Sequence, residues 1–159
     1  MAQIMRNFDI VAIQEVVAKD PAGAQAVARL ADALNRMGFQ WDYQVSDPTQ
    51  SPSPYIRERY AFLWKPSRVT MFRRAKLDQA LAKKIDREPF IATFRKRGEK
   101  DNFHIINFHS RPYNRNPEEE IIHTSSTIQI DSIRTGSYWP EISILMSTIR
   151  YGSHFINKD

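Results

Sequence analysis

The sequence predicts an α/β sandwich, and three observations carry that prediction. Residues 8–15 (FDIVAIQE) form an apolar, Ile/Val-biased run of strand length. Residues 20–38 then place apolar side chains at helical spacing between a start signal and a stop signal. Five further strand-like segments follow, at 39–45, 59–65, 68–73, 89–95 and 102–109. One βα unit followed by a succession of strands is the pattern of a layered α/β fold.

Each element has its own justification. Met1 to Arg6 reads as the last turns of a helix. The five apolar residues of segment 8–15 predict a strand buried on both faces. Asp20 is a good N-cap and Pro21 a good first helical residue. Val27, Leu30, Ala31, Leu34 and Met37 share one helical face, and Gly38 supplies the stop. Residues 46–54, rich in Ser, Pro and Asp, predict a loop. The aromatic segment 59–65 (RYAFLWK) and segment 68–73 flank Pro66-Ser67, which predicts a hairpin. Residues 76–86 read as a short helix or loop. Glu118, Glu119 and Glu120 place acid in the first turn of a last helix, where the helix dipole favours it. Phe62, Trp64, Phe90, Phe94, Phe103 and Phe108 are core candidates, whereas His104 is expected to face outward.

Composition excludes several classes. The chain has 159 residues, enough for one domain with a real core. It has no cysteine, which removes disulfides and thiolate metal sites. No apolar run approaches the roughly 20 residues of a membrane helix, and no signal peptide is visible. Lys and Arg number 23 against 18 Asp and Glu, and the isoelectric point is about 9.6. That balance permits a phosphate-bearing partner without requiring one.

Polar residues of catalytic type stand at strand ends. Glu15 closes the first strand, at the carboxyl edge where open α/β sheets build their sites. A carboxylate buried there costs several kcal/mol unless a cation pairs with it, and hard oxygen donors suit Mg²⁺. The competing reading is that Glu15 emerges into a solvated loop. His109 closes another strand; a histidine there can donate a proton to a leaving group. Glu58 can fix its tautomer, and Arg87 and Arg111 can clamp phosphate oxygens. Against this, a lone strand-end histidine is often structural, and Arg57, Arg87 and Arg111 also read as solvated surface.

The strings DIVAIQEV, RERYAFLWKP, REPFIATF and FHIINFHSRP, in that order, resemble the endonuclease/exonuclease/phosphatase family of deoxyribonuclease I-like proteins. The resemblance covers residues 1–122 and implies a partial four-layer α/β sandwich of the deoxyribonuclease I-like type. It implies a Mg²⁺-dependent phosphodiesterase, with nucleic acid, DNA foremost, as substrate, and points to no protein partner. Glu15 then corresponds to the Mg²⁺ carboxylate, and His109 to one of two catalytic histidines. Glu58 corresponds to the acidic partner of His109, and Arg87 to a residue facing the substrate phosphates. Arg111 is added as a second phosphate ligand from its position alone. A phospholipid or inositol phosphate is the alternative substrate, because the family also contains such phosphatases.

The sequence also departs from the family pattern. The family's first strand carries an asparagine and would precede Met1; a signal peptide lost with it leaves the compartment open. A later strand carries GDFN and a final motif SDH, and neither occurs here. Ser153-His154 is no substitute. Residues 1–122 contain five serines, and residues 123–159 contain seven. Read out of frame, Tyr138-Trp139 must encode Leu and Trp139-Pro140 must encode Ala. The codons of residues 140–144 then permit Gly-Asp-Phe-Asn. The reading is of an incomplete domain over 1–122 and an out-of-frame tail over 123–159, from a single-base deletion near codons 121–126. On that reading the chain is a phosphodiesterase fragment, inactive as it stands. The alternative of a different class is a decayed gene product, or a weak nucleic-acid-binding half-domain.

Overall fold

Two sheets pack face to face, and the order of their strands places the polar strand ends together. The computed structural model describes residues 2–50, 55, 57–111, 116–135 and 142–147, with backbone alone for 128–135 and 142–147. Residues 51–54, and with them part of the predicted loop over 46–54, lie outside the described residues, as does Ser153-His154. The elements are α1 (Ala2–Met5), β1 (Ile10–Val17), α2 (Ala22–Asn35), β2 (Asp42–Val45), β3 (Glu58–Trp64), β4 (Val69–Leu77), β5 (Phe90–Lys96), β6 (Asn102–His109), α3 (Pro117–Thr135) and β7 (Ile142–Ser147). The first sheet has the order β1-β3-β2 and the second β4-β5-β6-β7. All pairings are antiparallel except β6 with β7, which are parallel and joined through α3. Among the described residues no helix is long and apolar enough to cross a membrane.

The alternation of β3 builds the layers. Tyr60, Phe62 and Trp64 point inward and meet Phe90, Ala92 and Phe94 of β5 between the sheets. Ala61 and Leu63 point the other way, onto Val27, Ala31 and Leu34 of α2. On the far side of the second sheet, Ile106 and Phe108 of β6 pack on Leu81 and Ile85, with Ile121 of α3 against them. The result is helix, sheet, sheet, and a layer of turn plus helix, as the four-layer expectation requires. Each aromatic side chain buried this way contributes on the order of 1.5–3 kcal/mol.

Three local expectations are corrected. The predicted hairpin around Pro66-Ser67 does not form. β3 and β4 lie in different sheets, and this turn carries the chain from one sheet to the other. Lys65 anchors it: its ammonium donates to the carbonyl of Arg6 at 2.9 Å and sits over the rings of Phe39 and Trp41. Asp20 caps nothing; Pro21 is the N-cap residue, and the Asp20 carboxylate binds Arg59 Nη2 at 2.6 Å. The strand ending at Glu15 is half-buried rather than buried on both faces, because among the described residues only β3 pairs with it. Gly23, in the first turn of α2, is required by packing, since a Cβ there would strike the carbonyl oxygen of Val17.

His104 is not simply outward-facing. It lies opposite Thr93 in the β5–β6 ladder, with Nδ1 3.0 Å from the threonine hydroxyl. Burial pushes its pKa below the ordinary 6.5. A depressed folded-state pKa means that the unfolded chain binds the proton more readily. This residue's contribution is therefore complete above the unfolded value and is lost as pH falls through the folded one. In urea titrations from pH 7.5 to 5, His104→Gln should flatten the stability-against-pH curve on its acid side. Parallel curves for the two proteins would refute it.

Candidate functional site

The site draws on a bulge near the end of β1, the first residue of β3 and the last residue of β6, which the packing of the two sheets brings to one rim. His109 is 2% exposed at the end of β6, and its Nδ1 lies 2.8 and 2.9 Å from the two carboxylate oxygens of Glu58 at the start of β3. With the Nδ1 proton donated to Glu58, the imidazole is held in the tautomer that leaves Nε2 for chemistry. Arg87, also buried, brings Nε to 3.5 Å from Glu58 Oε2. The carboxylate is thus shared between a histidine and a guanidinium in a site almost closed to water.

Glu15 reaches the same place through an irregularity of β1. The register with β3 shifts between Ile13 and Val16, and Glu15 has φ +57°, left-handed for a residue with a side chain. Such a conformation costs on the order of 1–3 kcal/mol and persists only where surrounding structure holds it. The bulge turns the Glu15 carboxylate toward β6, with Oε1 3.6 Å from His109 Nε2. Its side chain is 57% exposed, unlike that of Glu58.

Two side-chain amides bind the sheets together beneath these residues. Gln14 donates from Nε2 to the carbonyl of Phe108 at 2.9 Å. Asn107 donates from Nδ2 to the carbonyl of Ile13 at 3.0 Å. The neighbours of Glu15 and His109 are therefore tied to each other's strands. Tyr60 adds a further tie, since the backbone N–H of His109 donates to its hydroxyl at 3.3 Å. Burial first, and then the charge of Glu58, pushes the Tyr60 phenol far above the ordinary tyrosine range. It stays neutral beside the carboxylate.

Glu15, Glu58, His109 and Arg87 are thus brought together. Arg111 stands beside them but is held by carboxylates: Nε lies 3.1 Å from Glu120 Oε1 and Nη2 lies 3.6 Å from Asp86 Oδ1. Among the described residues no group of three His, Asp or Glu side chains is arranged to hold a metal. Glu15 nevertheless fits Mg²⁺, which retains waters and takes one or two carboxylates together with substrate phosphate. It offers a hard, largely exposed oxygen donor, whereas the Glu58 carboxylate is occupied by His109 and Arg87. Sequence reasoning missed Gln14, Asn107, Tyr60 and Glu120. The available signal was in the strings themselves, because a Gln inside IVAIQE and an Asn inside IINFH are polar residues within apolar strands.

The fold is of the deoxyribonuclease I-like type, and comparison agrees. Deoxyribonuclease of Thioalkalivibrio sp. (strain K90mix) is 36% identical over 110 residues, which are 69% of this chain and 28% of that protein. Deoxyribonuclease-1 of Bos taurus is 33% identical over 118 residues, covering 70% of this chain and 40% of the bovine protein. The chain therefore spans well under half the length of these relatives. The catalytic domain of human Nocturnin, solved with a bound sulfate anion, shares the fold with a TM-score of 0.56 at 14% identity, over 88% of this chain and 51% of that one. No family model matches the chain. The chain belongs to the deoxyribonuclease I-like family of nucleases and phosphodiesterases.

Proposed function

We propose that this chain carries one half of the site of a Mg²⁺-dependent phosphodiesterase acting on DNA, and that it is silent as it stands. The observation that supports the class is the His109–Glu58 pair, 2.8 Å apart, with the Glu15 carboxylate across from Nε2. The relatives named deoxyribonuclease support the substrate, and the excess of basic residues is compatible with it.

The roles of the chain's own residues follow from their placement. Glu15 would hold Mg²⁺, which supplies charge neutralisation at a phosphodiester. Glu58 keeps the His109 proton on Nδ1 and stabilises the imidazolium once Nε2 is protonated. Protonated Nε2 is then able to donate to a non-bridging oxygen or to the leaving oxygen. Arg87 holds the Glu58 carboxylate in place through Oε2.

The silent state is supported by the described residues, among which no group of three His, Asp or Glu side chains is arranged to hold a metal. It also rests on the tail, where residues 138–144 permit the hidden peptide LAGDFN in another frame. The nucleotide sequence over codons 121–144 decides the frame; codons that fail to spell Gly-Asp-Phe-Asn in the shifted frame end that reading. For activity, the purified chain should nick supercoiled plasmid in Mg²⁺ no faster than Glu15→Ala or His109→Ala. Strong nicking that both substitutions abolish would overturn the silent reading and establish the chain as an active phosphodiesterase. Mn²⁺ should broaden amide signals around Val16 and His109 in the parent and not in Glu15→Ala. Absence of that broadening would remove Glu15 as the metal ligand.

A further inference from the structure

Glu120 is the third member of the Glu118–Glu120 run, and it behaves unlike its neighbours. Glu118 and Glu119 are exposed on the first turn of α3, whereas Glu120 is fully buried. Stabilising a helix dipole needs no burial, since an exposed acid in the first turn already does so. A carboxylate removed from water must instead be met by donors. Here they come from outside the helix. The backbone N–H of Asp86 donates to Oε1 at 2.6 Å, and the backbone N–H of Arg111 donates to Oε2 at 2.6 Å. The Arg111 guanidinium adds its charge as an ion pair, with Nε 3.1 Å from Oε1 and Nη2 3.6 Å from Asp86 Oδ1.

The two backbone groups that Glu120 joins flank the site. Asp86 directly precedes Arg87, whose Nε faces Glu58 at 3.5 Å. Arg111 follows His109 by two residues, just past the end of β6. The segment before β5 and the segment after β6 therefore meet on one buried carboxylate. We infer that Glu120 is a positioning residue, setting the separation of Arg87 and His109 across the site by holding the chain beside each of them. Arg111 serves the same brace, through Glu120 and Asp86, rather than contacting phosphate. Deleting the charge while keeping the shape should let the two site residues drift apart without opening the core.

This inference rests on the reading of the His109 site as one that meets a phosphate group, and the test separates the two. The full chain is titrated with inorganic phosphate while the His109 imidazole and the Arg87 Nε–H are followed by NMR. Glu120→Gln should displace both resonances and weaken phosphate binding by about tenfold, the scale of a lost supporting contact. Glu119→Gln, its exposed neighbour, should leave both unchanged. Should Glu120→Gln not fold, Glu120→Asp keeps the charge one methylene short and should shift the same resonances part of the way. A folded Glu120 variant that melts at a lower temperature, with both resonances and the phosphate titration as in the parent, overturns the inference and leaves Glu120 a structural residue only. A parent chain without any phosphate response removes the phosphate-site reading; the resonance shifts of the variants then still decide whether Glu120 positions Arg87 and His109.

Discussion

Glu58→Ala should lower the unfolding free energy by about 3–5 kcal/mol, the range seen when one partner of a buried ion pair is removed. The magnitude follows from what is left behind. Arg87 and His109 have side chains 10% and 2% exposed, and both direct a nitrogen at the Glu58 carboxylate. Without it, the Arg87 guanidinium loses this carboxylate where water enters poorly, and the Nδ1–H of the imidazole loses its acceptor. Glu58→Gln should cost less, because the amide oxygen still accepts one of the two bonds. Urea unfolding at constant m-value measures both variants. A loss below about 1 kcal/mol for Glu58→Ala, the level of an exposed pair, would show that the site is wetter than its geometry implies. The same substitution should free the His109 ring to flip tautomer, so the candidate catalytic group and the stability of the domain share one carboxylate.

The second large effect lies between the sheets. Phe62→Ala should cost about 3–5 kcal/mol, the usual span for an aromatic deleted from a closed core. Phe62 is completely buried at the centre of β3, stacked on Phe90 with ring centres 5.2 Å apart and edge-on to Phe94 at 5.8 Å. It belongs to one sheet and both of its ring partners to the other, so the cavity would open where the sheets hold each other. For a domain of ordinary marginal stability that is a large share of the total. Phe72→Ala provides the comparison: Phe72 is 47% exposed, carries the Arg95 guanidinium over its ring, and should change stability by less than about 1 kcal/mol. Equal losses for the two variants would mean that the inter-sheet aromatic cluster is not the core of this fold.

These two predictions bear on the same region. Glu58 and Phe62 lie on one strand, four residues apart, and β3 is buried along its whole length. The placement of its first residue therefore depends on packing further along. A weakened inter-sheet core would loosen the cross-sheet ties from Gln14 and Asn107, which hold Glu15 and His109 at their present separation.

Much of this was legible in particular residues. Strand-length apolar runs, the amphipathic face of α2 and the alternation inside RYAFLW were enough to expect an α/β sandwich, because side-chain period reports which face is buried. Glu15, Glu58 and His109 stood out as polar residues at or near the ends of strand-like runs, and the structure brings His109 beside both glutamates. The connection at Pro66-Ser67 was not legible. A tight turn between two strands looks the same in sequence whether the second strand pairs with the first or crosses to another sheet. Nor was the brace at Glu120, since an acidic first turn is favourable by itself and conceals the one glutamate that turns inward.

The sequence by itself determined the class of fold, the inward face of each strand and the residue types available for chemistry, because these depend on local period and on the cost of burying charge. Only the tertiary structure decided which polar residues meet. The left-handed bulge at Glu15, the sharing of Glu58 between His109 and Arg87, and the capture of Arg111 by Glu120 and Asp86 all join residues far apart in the chain. Such contacts are set by sheet order and packing, which no local pattern encodes.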